Sequence, residues 1–266
     1  MNSSIWTPIR PPTFSAVFAY SLVVNSKRFA YAIPALLLAG ISPSHSAAQT
    51  DKPKFGLGIS AGTLGVGIQA ATAVTRKANL RVGVNAFQYS DSFDKDGIHY
   101  TGTLKLRSAQ ATFDQYLGGG FHISPGVLLY NDNKGTAVAN VPGGQTFTLS
   151  GAQFYSNAAN PVTGNGTLTL NKVAPMILIG FGNLLPRSSR HFGVNFDVGV
   201  VFQGAAKVGL NLAGTACGIS ATLGCVNAGT DPTIQTKVAG EQVILNDYLK
   251  PFQYYPVVAL TLSYKF

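Results

Sequence analysis

The 266-residue sequence has few charges, since only 11% of its residues are Asp, Glu, Lys or Arg. Soluble domains carry about 25% charged residues, so an ordinary aqueous surface is excluded. Long hydrophobic runs are also missing. No window of about 18 uninterrupted apolar residues exists, which excludes a polytopic helical membrane protein. An aromatic content of 11% argues against disorder.

Glycine, aromatic residues and alternation are present instead. The chain has 30 Gly, 16 Phe and 11 Tyr, with a normal hydrophobic content of 46%. In residues 252–266, every second position from Phe252 to Phe266 is apolar or aromatic, whereas Gln253, Ser263 and Lys265 occupy the other face. Period-two alternation over this length is typical of a transmembrane β-strand. Comparable alternation recurs at residues 80–89, 121–130, 172–181 and 192–203.

Connection lengths predict the number of strands. Short connections at 75–77, 117–119 and 186–191 alternate with long polar ones at 90–100, 131–166 and 204–251. Outer-membrane barrels alternate short periplasmic turns with long external loops. Because the connection at 75–77 is short, the strand that ends at Val74 must run towards the periplasm, so another strand must cross in the opposite direction before it. Residues 54–74 are then two strands, with a tight turn at Ala61-Gly62. We therefore predict an all-β, antiparallel transmembrane barrel of eight strands with long extracellular loops. The alternatives are one long bulged strand in 54–74, or an extra pair within 204–250.

Two segments show weaker patterns. In residues 104–116, Leu104 and Leu106 are out of phase with Ala109, Ala111 and Phe113, which predicts a β-bulge. In the long 204–250 connection, residues 207–212 could extend a strand and residues 234–249 are weakly helical. This connection is therefore predicted to be a structured external loop.

The N-terminus resembles an export signal. Lys27-Arg28 precedes an apolar stretch at 29–41, and Ser46 and Ala48 suit the small positions of a cleavage site. We predict a signal peptide over 1–48, with an atypical N-terminal extension, followed by the barrel domain at 49–266. A long n-region and a start codon placed too early both account for the extension. Export to an oxidising compartment predicts that Cys217 and Cys225, the only cysteines, form a disulfide.

Four short motifs resemble a known family. They are 61–67 (AGTLGVG), 173–183 (VAPMILIGFGN), 196–208 (FDVGVVFQGAAKV) and 254–266 (YYPVVALTLSYKF). They are similar to the small outer-membrane barrels grouped with the carbapenem-resistance-associated outer-membrane protein. The resemblance implies an eight-stranded monomer that takes up small solutes slowly, including basic amino acids.

An eight-stranded barrel leaves an interior that side chains just fill, or at most a narrow path. Buried charges must be paired, so Asp114 and Asp197 are expected to neutralise inward cations. Two interpretations follow: a structural network that plugs the lumen, or a basic lining that selects anionic or zwitterionic solutes. The predicted inward set is Arg81, Asn85, Lys105, Arg107, Asp114, Asp197, Gln203, Tyr255 and Lys265.

Other functions find less support. A catalytic cluster of His99 with Asp91, Asp94 and Asp96 is conceivable, but a solvated loop is favoured, so we expect no enzyme, metal or cofactor. Removal of residues 1–48 leaves 16 basic and 10 acidic residues without a basic run, which disfavours nucleic-acid binding.

The expected function is slow passive uptake or binding of small polar solutes; the alternative is a structural or surface-interaction barrel without an open pore. Expected partners are outer-membrane lipid and, through the Tyr264 and Phe266 end, the barrel-assembly machinery.

Overall fold

The computed structural model describes residues 55–186, 190–219 and 224–266. The predicted signal peptide at 1–48 lies outside the described residues. Among them, no helix is both long and apolar enough to cross a membrane. The elements in chain order are β1 (Gly56–Gly62), β2 (Gly65–Thr75), β3 (Ala78–Lys95), β4 (Ile98–Gly118), β5 (Phe121–Asn131), β6 (Lys134–Val141), β7 (Thr146–Leu149), β8 (Ala152–Ser156), β9 (Val162–Thr169), β10 (Ala174–Gly182), β11 (Phe192–Phe202), β12 (Lys207–Ala213), β13 (Thr215–Gly218), β14 (Cys225–Asn227), α1 (Pro232–Leu249) and β15 (Tyr254–Lys265).

Eight of these strands close into a barrel. The antiparallel ring runs β1-β2-β3-β4-β5-β10-β11-β15, and β15 pairs with β1 to complete it. This confirms the predicted all-β fold and the count of eight. Both ends of the described chain, Phe55 and Phe266, lie at the end of the barrel that carries the short connections, which we call the turn end. The opposite end is called the cap end.

The first hairpin turns two residues later than predicted. β1 continues through Gly62, which pairs with Gly65, so the two-residue turn is Thr63-Leu64 and not Ala61-Gly62. Gly65 has a φ of 106°, and a Cβ there would meet the Ala86 carbonyl. In a hairpin built on a type I turn, the residue after the two central positions takes a positive φ, which glycine adopts readily, so Gly65 suits the end of this turn. Residues 54–74 therefore contain two strands, and the single bulged strand is wrong.

The outer face of the barrel is apolar, with aromatic side chains at both ends. Exposed aliphatic side chains cover its middle, among them Ile59, Ile68, Val84, Ile177 and Leu262. At the turn end, Tyr264 packs edge-on against Phe192 and Phe266, with ring centroids 5.3 and 5.2 Å apart. At the cap end, Phe202 packs edge-on against Tyr254 at 5.9 Å. An apolar band between aromatic girdles is the outer surface of a transmembrane barrel.

The two longest connections fold into a cap at the other end. Above the point where β5 ends, β6 takes its place beside β4, and β9 and β12 extend this sheet. A second sheet contains β7, β8, β13 and β14. Residues 131–166, predicted as a polar loop, thus form strands, whereas β12, β13 and β14 belong to the cap and not to the ring.

The helix that was weakly predicted at 234–249 is present as α1. Asp231 caps its N-terminus, accepting hydrogen bonds from the backbone N–H groups of Thr233 and Ile234. Its buried face carries Ile234, Val238, Leu245 and Leu249, which pack with residues of both sheets into a hydrophobic core of the cap.

β4 links the cap to the barrel without a change of phase. Its even-numbered residues, apart from the half-buried Leu104, are buried from Ile98 and Tyr100 in the cap core to Asp114 in the lumen, and the β3–β4 register is unbroken. The predicted phase change at Leu104 and Leu106 is therefore wrong, since Leu106 is buried on the inward face. The irregularities lie in the β4–β5 pairing instead. The shared face also places the cap core on the lumen side of β4.

Candidate functional site

A buried ion cluster occupies the middle of the lumen, centred on Arg81 of β3. Its guanidinium donates to Asp114 Oδ1 at 2.9 Å and to Asp197 Oδ2 at 2.5 Å. Further hydrogen bonds reach Thr112 Oγ1 at 3.1 Å and Gln69 Oε1 at 3.3 Å. The side chain is 1% exposed, so every donor that it has finds a partner inside the protein. Asp114 comes from the neighbouring strand β4, whereas Asp197, 116 residues from Arg81, comes from β11, so closure of the ring brings the second carboxylate to the arginine.

His122 of β5 completes the cluster. Its Nε2 lies 3.0 Å from Asp197 Oδ1, and its Nδ1 lies 3.1 Å from the Gly120 carbonyl oxygen. Both ring nitrogens thus face acceptor oxygens, and the imidazole is 0% exposed. Arg81 and His122 therefore lie together against Asp197, and Arg81 also holds Asp114. Pairing and hydrogen bonding of this kind lower the cost of burying charges.

A glycine provides the space in which this cluster forms. Gly180 of β10 faces the lumen opposite Asp197, and a Cβ there would fall within contact distance of both His122 Nε2 and Asp197 Oδ1. Any larger residue would occupy the place where the imidazole meets the carboxylate. Asn195, two residues from Asp197 on β11, donates to Asp197 Oδ2 at 2.8 Å and fixes the other carboxylate oxygen.

Apolar side chains fill the lumen above and below the ion cluster. Towards the cap end, Leu64, Leu128, Met176, Leu178 and Val257 form a buried hydrophobic cluster. Towards the turn end, Leu184 and Leu185 pack against Ala71. A cavity between Asp197 and the first β-turn has a volume of about 10 Å³, about the size of one water. The described residues therefore fill the lumen at three successive levels.

A depression lies outside this lumen, at the turn end. Its volume is about 560 Å³, and Arg76, Lys77 and Arg190 contribute positive charge to its lining. Its inner boundary includes Tyr116, whose hydroxyl donates to Asn183 Oδ1 at 3.0 Å. Since Leu184 and Leu185 pack beside this boundary, the depression does not extend to the ion cluster.

The predicted lumen residues occupy different levels. Arg81, Asp114 and Asp197 meet, although both aspartates pair with the same arginine. The others that face inward lie apart from them: Asn85 near Ser60 and Ser108, Gln203 bonded to the Phe252 carbonyl, Tyr255 bonded to the Thr63 carbonyl, and Lys265 part-exposed at the turn end.

Lys105 and Arg107 do not face the lumen. Both belong to the odd-numbered face of β4, which carries the lipid-facing Phe113, and Arg107 is exposed. Their inward placement followed from the phase change that β4 does not make. Near the cap end the lumen is lined by apolar side chains. At this level an apolar residue of β4 can face inward, so its hydrophobicity does not show that it faces lipid.

Sequence reasoning missed His122, Gln69 and Thr112 as members of the cluster. Each alternates with outward apolar neighbours: Phe121 precedes His122, Ile68 precedes Gln69, and Phe113 follows Thr112. The alternation of inward and outward residues could have placed all three side chains in the lumen. Their positions along the barrel axis relative to Arg81 depend on the stagger between strands, which a single sequence does not contain.

The remaining candidates lie in the cap. His99 Nδ1 is 2.8 Å from Asp94 Oδ1, in an exposed pair near the tip of the β3–β4 hairpin. The disulfide between Cys217 and Cys225 is confirmed and joins paired positions of β13 and β14. Within the described ranges, no group of three or more His, Cys, Asp or Glu side chains is arranged to hold a metal ion.

The fold is similar to two solved barrels of Acinetobacter baumannii. CarO2 matches with a TM-score of 0.51 and 21% identity, over 82% of this chain and 100% of its own. CarO matches with a TM-score of 0.50 and 21% identity, over 83% of this chain and 100% of its own. No protein-family model matches the sequence, and no curated protein matches it. The chain thus has the fold of the CarO barrels, which confirms the predicted resemblance.

Proposed function

We propose that the chain is an outer-membrane barrel whose lumen is closed at rest and which anchors the cap at the cell surface. The observation that carries this proposal is the filling of the lumen at three levels, with a buried ion cluster between two apolar layers. Such an interior has the character of a packed core, and a packed core does not conduct. The cap has its own hydrophobic core and disulfide, which suit a rigid surface for contacts outside the cell.

The location and orientation rest on the outer surface and the connections. The apolar band between aromatic girdles matches a bilayer, and the fold is that of CarO barrels. The short turns lie at the same end as Phe55 and Phe266, the first and last described residues, and short turns in such barrels are on the periplasmic side. The cap then faces outward, and Tyr264 and Phe266 lie at the periplasmic rim, where the barrel-assembly machinery would contact the last strand.

Surface labelling tests this orientation. An exposed α1 residue changed to cysteine, Ala239→Cys, is expected to react on intact cells with a maleimide that does not cross membranes. Lys77→Cys, in the β2–β3 turn, is expected to react only after the cells are permeabilised. Both natural cysteines are joined in the disulfide, so each variant has one free thiol. Labelling of Lys77→Cys on intact cells, or none of Ala239→Cys, would contradict the proposal.

A second candidate function, slow passage of small polar solutes such as amino acids, is supported by the unpaired polar atoms of the lumen. Gln110 Oε1, Ser124 Oγ and Thr261 Oγ1 are among six buried side-chain atoms that have no hydrogen-bond partner in the described part of the chain. Buried polar groups of this kind are usually satisfied by water. A brief displacement of the apolar layer near Leu178 would connect them into a polar path.

Liposome swelling separates the two candidates. With a closed lumen, vesicles containing the protein are expected to swell in lysine or glutamate no faster than protein-free vesicles. Leu178→Ala removes part of the upper layer, whereas its neighbour Ile179 faces lipid, so Ile179→Ala is the matched control. Uptake by the wild-type protein that rises several-fold with Leu178→Ala alone would establish slow passage and refute the closed anchor.

A further inference from the structure

A row of cations crosses the outer face of the cap sheet where this sheet leaves the barrel. Lys105 on β4 lies directly opposite Lys134 on β6, Lys134 lies opposite Thr169 on β9, and Thr169 lies opposite Lys207 on β12. Residues directly opposite in antiparallel strands share one face of the sheet. The three lysines therefore form one horizontal row, which we call the lysine row. Arg107 lies next to it, two residues below Lys105 on the same face of β4.

The row carries excess positive charge. Its one carboxylate, Asp132, lies 3.2 Å from Lys134 Nζ. This hydrogen bond, with the nearby charge of Lys105, lowers the pKa of Asp132. In the described chain, Arg107 and Lys207 make no side-chain hydrogen bond or ion pair, and both are exposed. Like charges directly opposite each other, as in Lys105 and Lys134, are destabilising without a shared counter-ion.

The strand register places the row at the rim of the apolar band. Arg107 pairs with Ala86, and Ala86 pairs with Val66, the second residue after the first β-turn. Below this level the outer face is apolar, with Val82 and Val84 exposed. Arg107 and the lysine row are therefore the first charged positions above the hydrocarbon-facing surface on these strands.

Directly above the row, the same face of the sheet carries hydroxyl groups, which extend up to the exposed Asp94–His99 pair near the tip of the β3–β4 hairpin. Thr103 lies opposite Thr136 on β6, which lies opposite Thr167 on β9. Hydroxyl pairs continue onto β3, where Ser90 Oγ and Ser92 Oγ each lie 2.9 Å from a threonine Oγ1. From the barrel upward, the face thus presents an apolar layer, a cationic layer and a layer of hydroxyl groups.

We propose that this face binds a phosphorylated glycolipid of the outer leaflet. The three layers match, in order, its acyl chains, its phosphates and its sugar hydroxyls. Lysine and arginine are the side chains that recognise phosphate. The inference rests on the proposed outward orientation of the cap, and it assigns a ligand to Lys105 and Arg107 outside the lumen.

Lipid binding to the full chain in a zwitterionic detergent tests the proposal. The probes are fluorescent bis-phosphorylated lipid A, its dephosphorylated derivative, phosphatidylglycerol and inorganic phosphate. Bis-phosphorylated lipid A is expected to bind at least about tenfold more tightly than the dephosphorylated form. The triple variant Lys105→Gln/Arg107→Gln/Lys207→Gln, which keeps the Lys134–Asp132 pair, should weaken binding about 100-fold, since each interfacial cation contributes about 1 kcal/mol, or about fivefold.

The control variant removes the same charge elsewhere. Lys95→Gln/Lys237→Gln/Lys250→Gln changes cations at the hairpin tip and on or next to α1, and its affinity should stay within about twofold of wild type. Heat-modifiable gel mobility verifies that both triple variants fold. Equal weakening by both variants, equal binding of the dephosphorylated lipid, or full competition by phosphatidylglycerol or millimolar phosphate would each overturn the glycolipid site. If the proposed outward orientation of the cap is wrong, Ala239→Cys will not be labelled on intact cells. This result is distinct from a loss of lipid binding.

Discussion

Replacing Arg81 with methionine is expected to lower the free energy of unfolding by about 3–5 kcal/mol. The substitution removes the guanidinium that holds both Asp114 and Asp197 and leaves two carboxylates in a lumen where each is about 1% exposed. His122 contacts Asp197 only, so Asp114 keeps no basic partner. Urea titration of the protein refolded into phosphatidylcholine vesicles, followed by heat-modifiable gel mobility, measures the change.

Two further variants show whether the loss of stability in Arg81→Met comes from the unpaired carboxylates or from the change of side chain. Arg107→Met removes an exposed arginine of the outer face, and we expect it to change stability by less than about 0.5 kcal/mol. Adding Asp114→Asn and Asp197→Asn to Arg81→Met should recover much of the loss, because no uncompensated carboxylate then remains. If Arg81→Met unfolded at the same urea concentration as Arg107→Met, the buried ion cluster would have no role in stability.

Replacing Leu245 with alanine is expected to destabilise the cap by about 2–5 kcal/mol. Leu245 is fully buried on the inner face of α1, within the hydrophobic core that joins the helix to both cap sheets. The barrel lumen has a separate hydrophobic cluster, so we expect the cap to become protease-sensitive while the heat-modifiable mobility of the barrel is retained. Limited proteolysis of the protein in vesicles provides the measurement.

The same helix offers a matched control. Val243, two residues earlier, is exposed, and Val243→Ala should leave the rate of cap cleavage within about twofold of wild type. Equal protease sensitivity of the two variants would indicate that α1 does not pack as described. Loss of heat-modifiable mobility in Leu245→Ala would show instead that cap and barrel unfold together.

The membrane strands could be predicted because their alternation is local. In β11, Phe192, Val194 and Phe196 face lipid while Asn195 and Asp197 face inward, as the sequence indicated. Where the interior becomes apolar, this logic fails. Leu106 is buried on the inward face, and its neighbours Lys105 and Arg107 therefore lie on the outward face, although the sequence predicted that they face inward.

By itself, the sequence determined an eight-stranded barrel. Every strand that crosses the bilayer must alternate apolar, lipid-facing residues with inward ones, and this alternation can be seen in the sequence. The disulfide and α1 were also readable, from the two cysteines and from a short local period. Only the tertiary structure decided which side chains meet. The Arg81–Asp197 contact and the lysine row depend on ring closure and strand register, and these are set by pairing between distant strands. The cap required the same information, because its core combines residues of the β3–β4 hairpin with residues of the two long inserts.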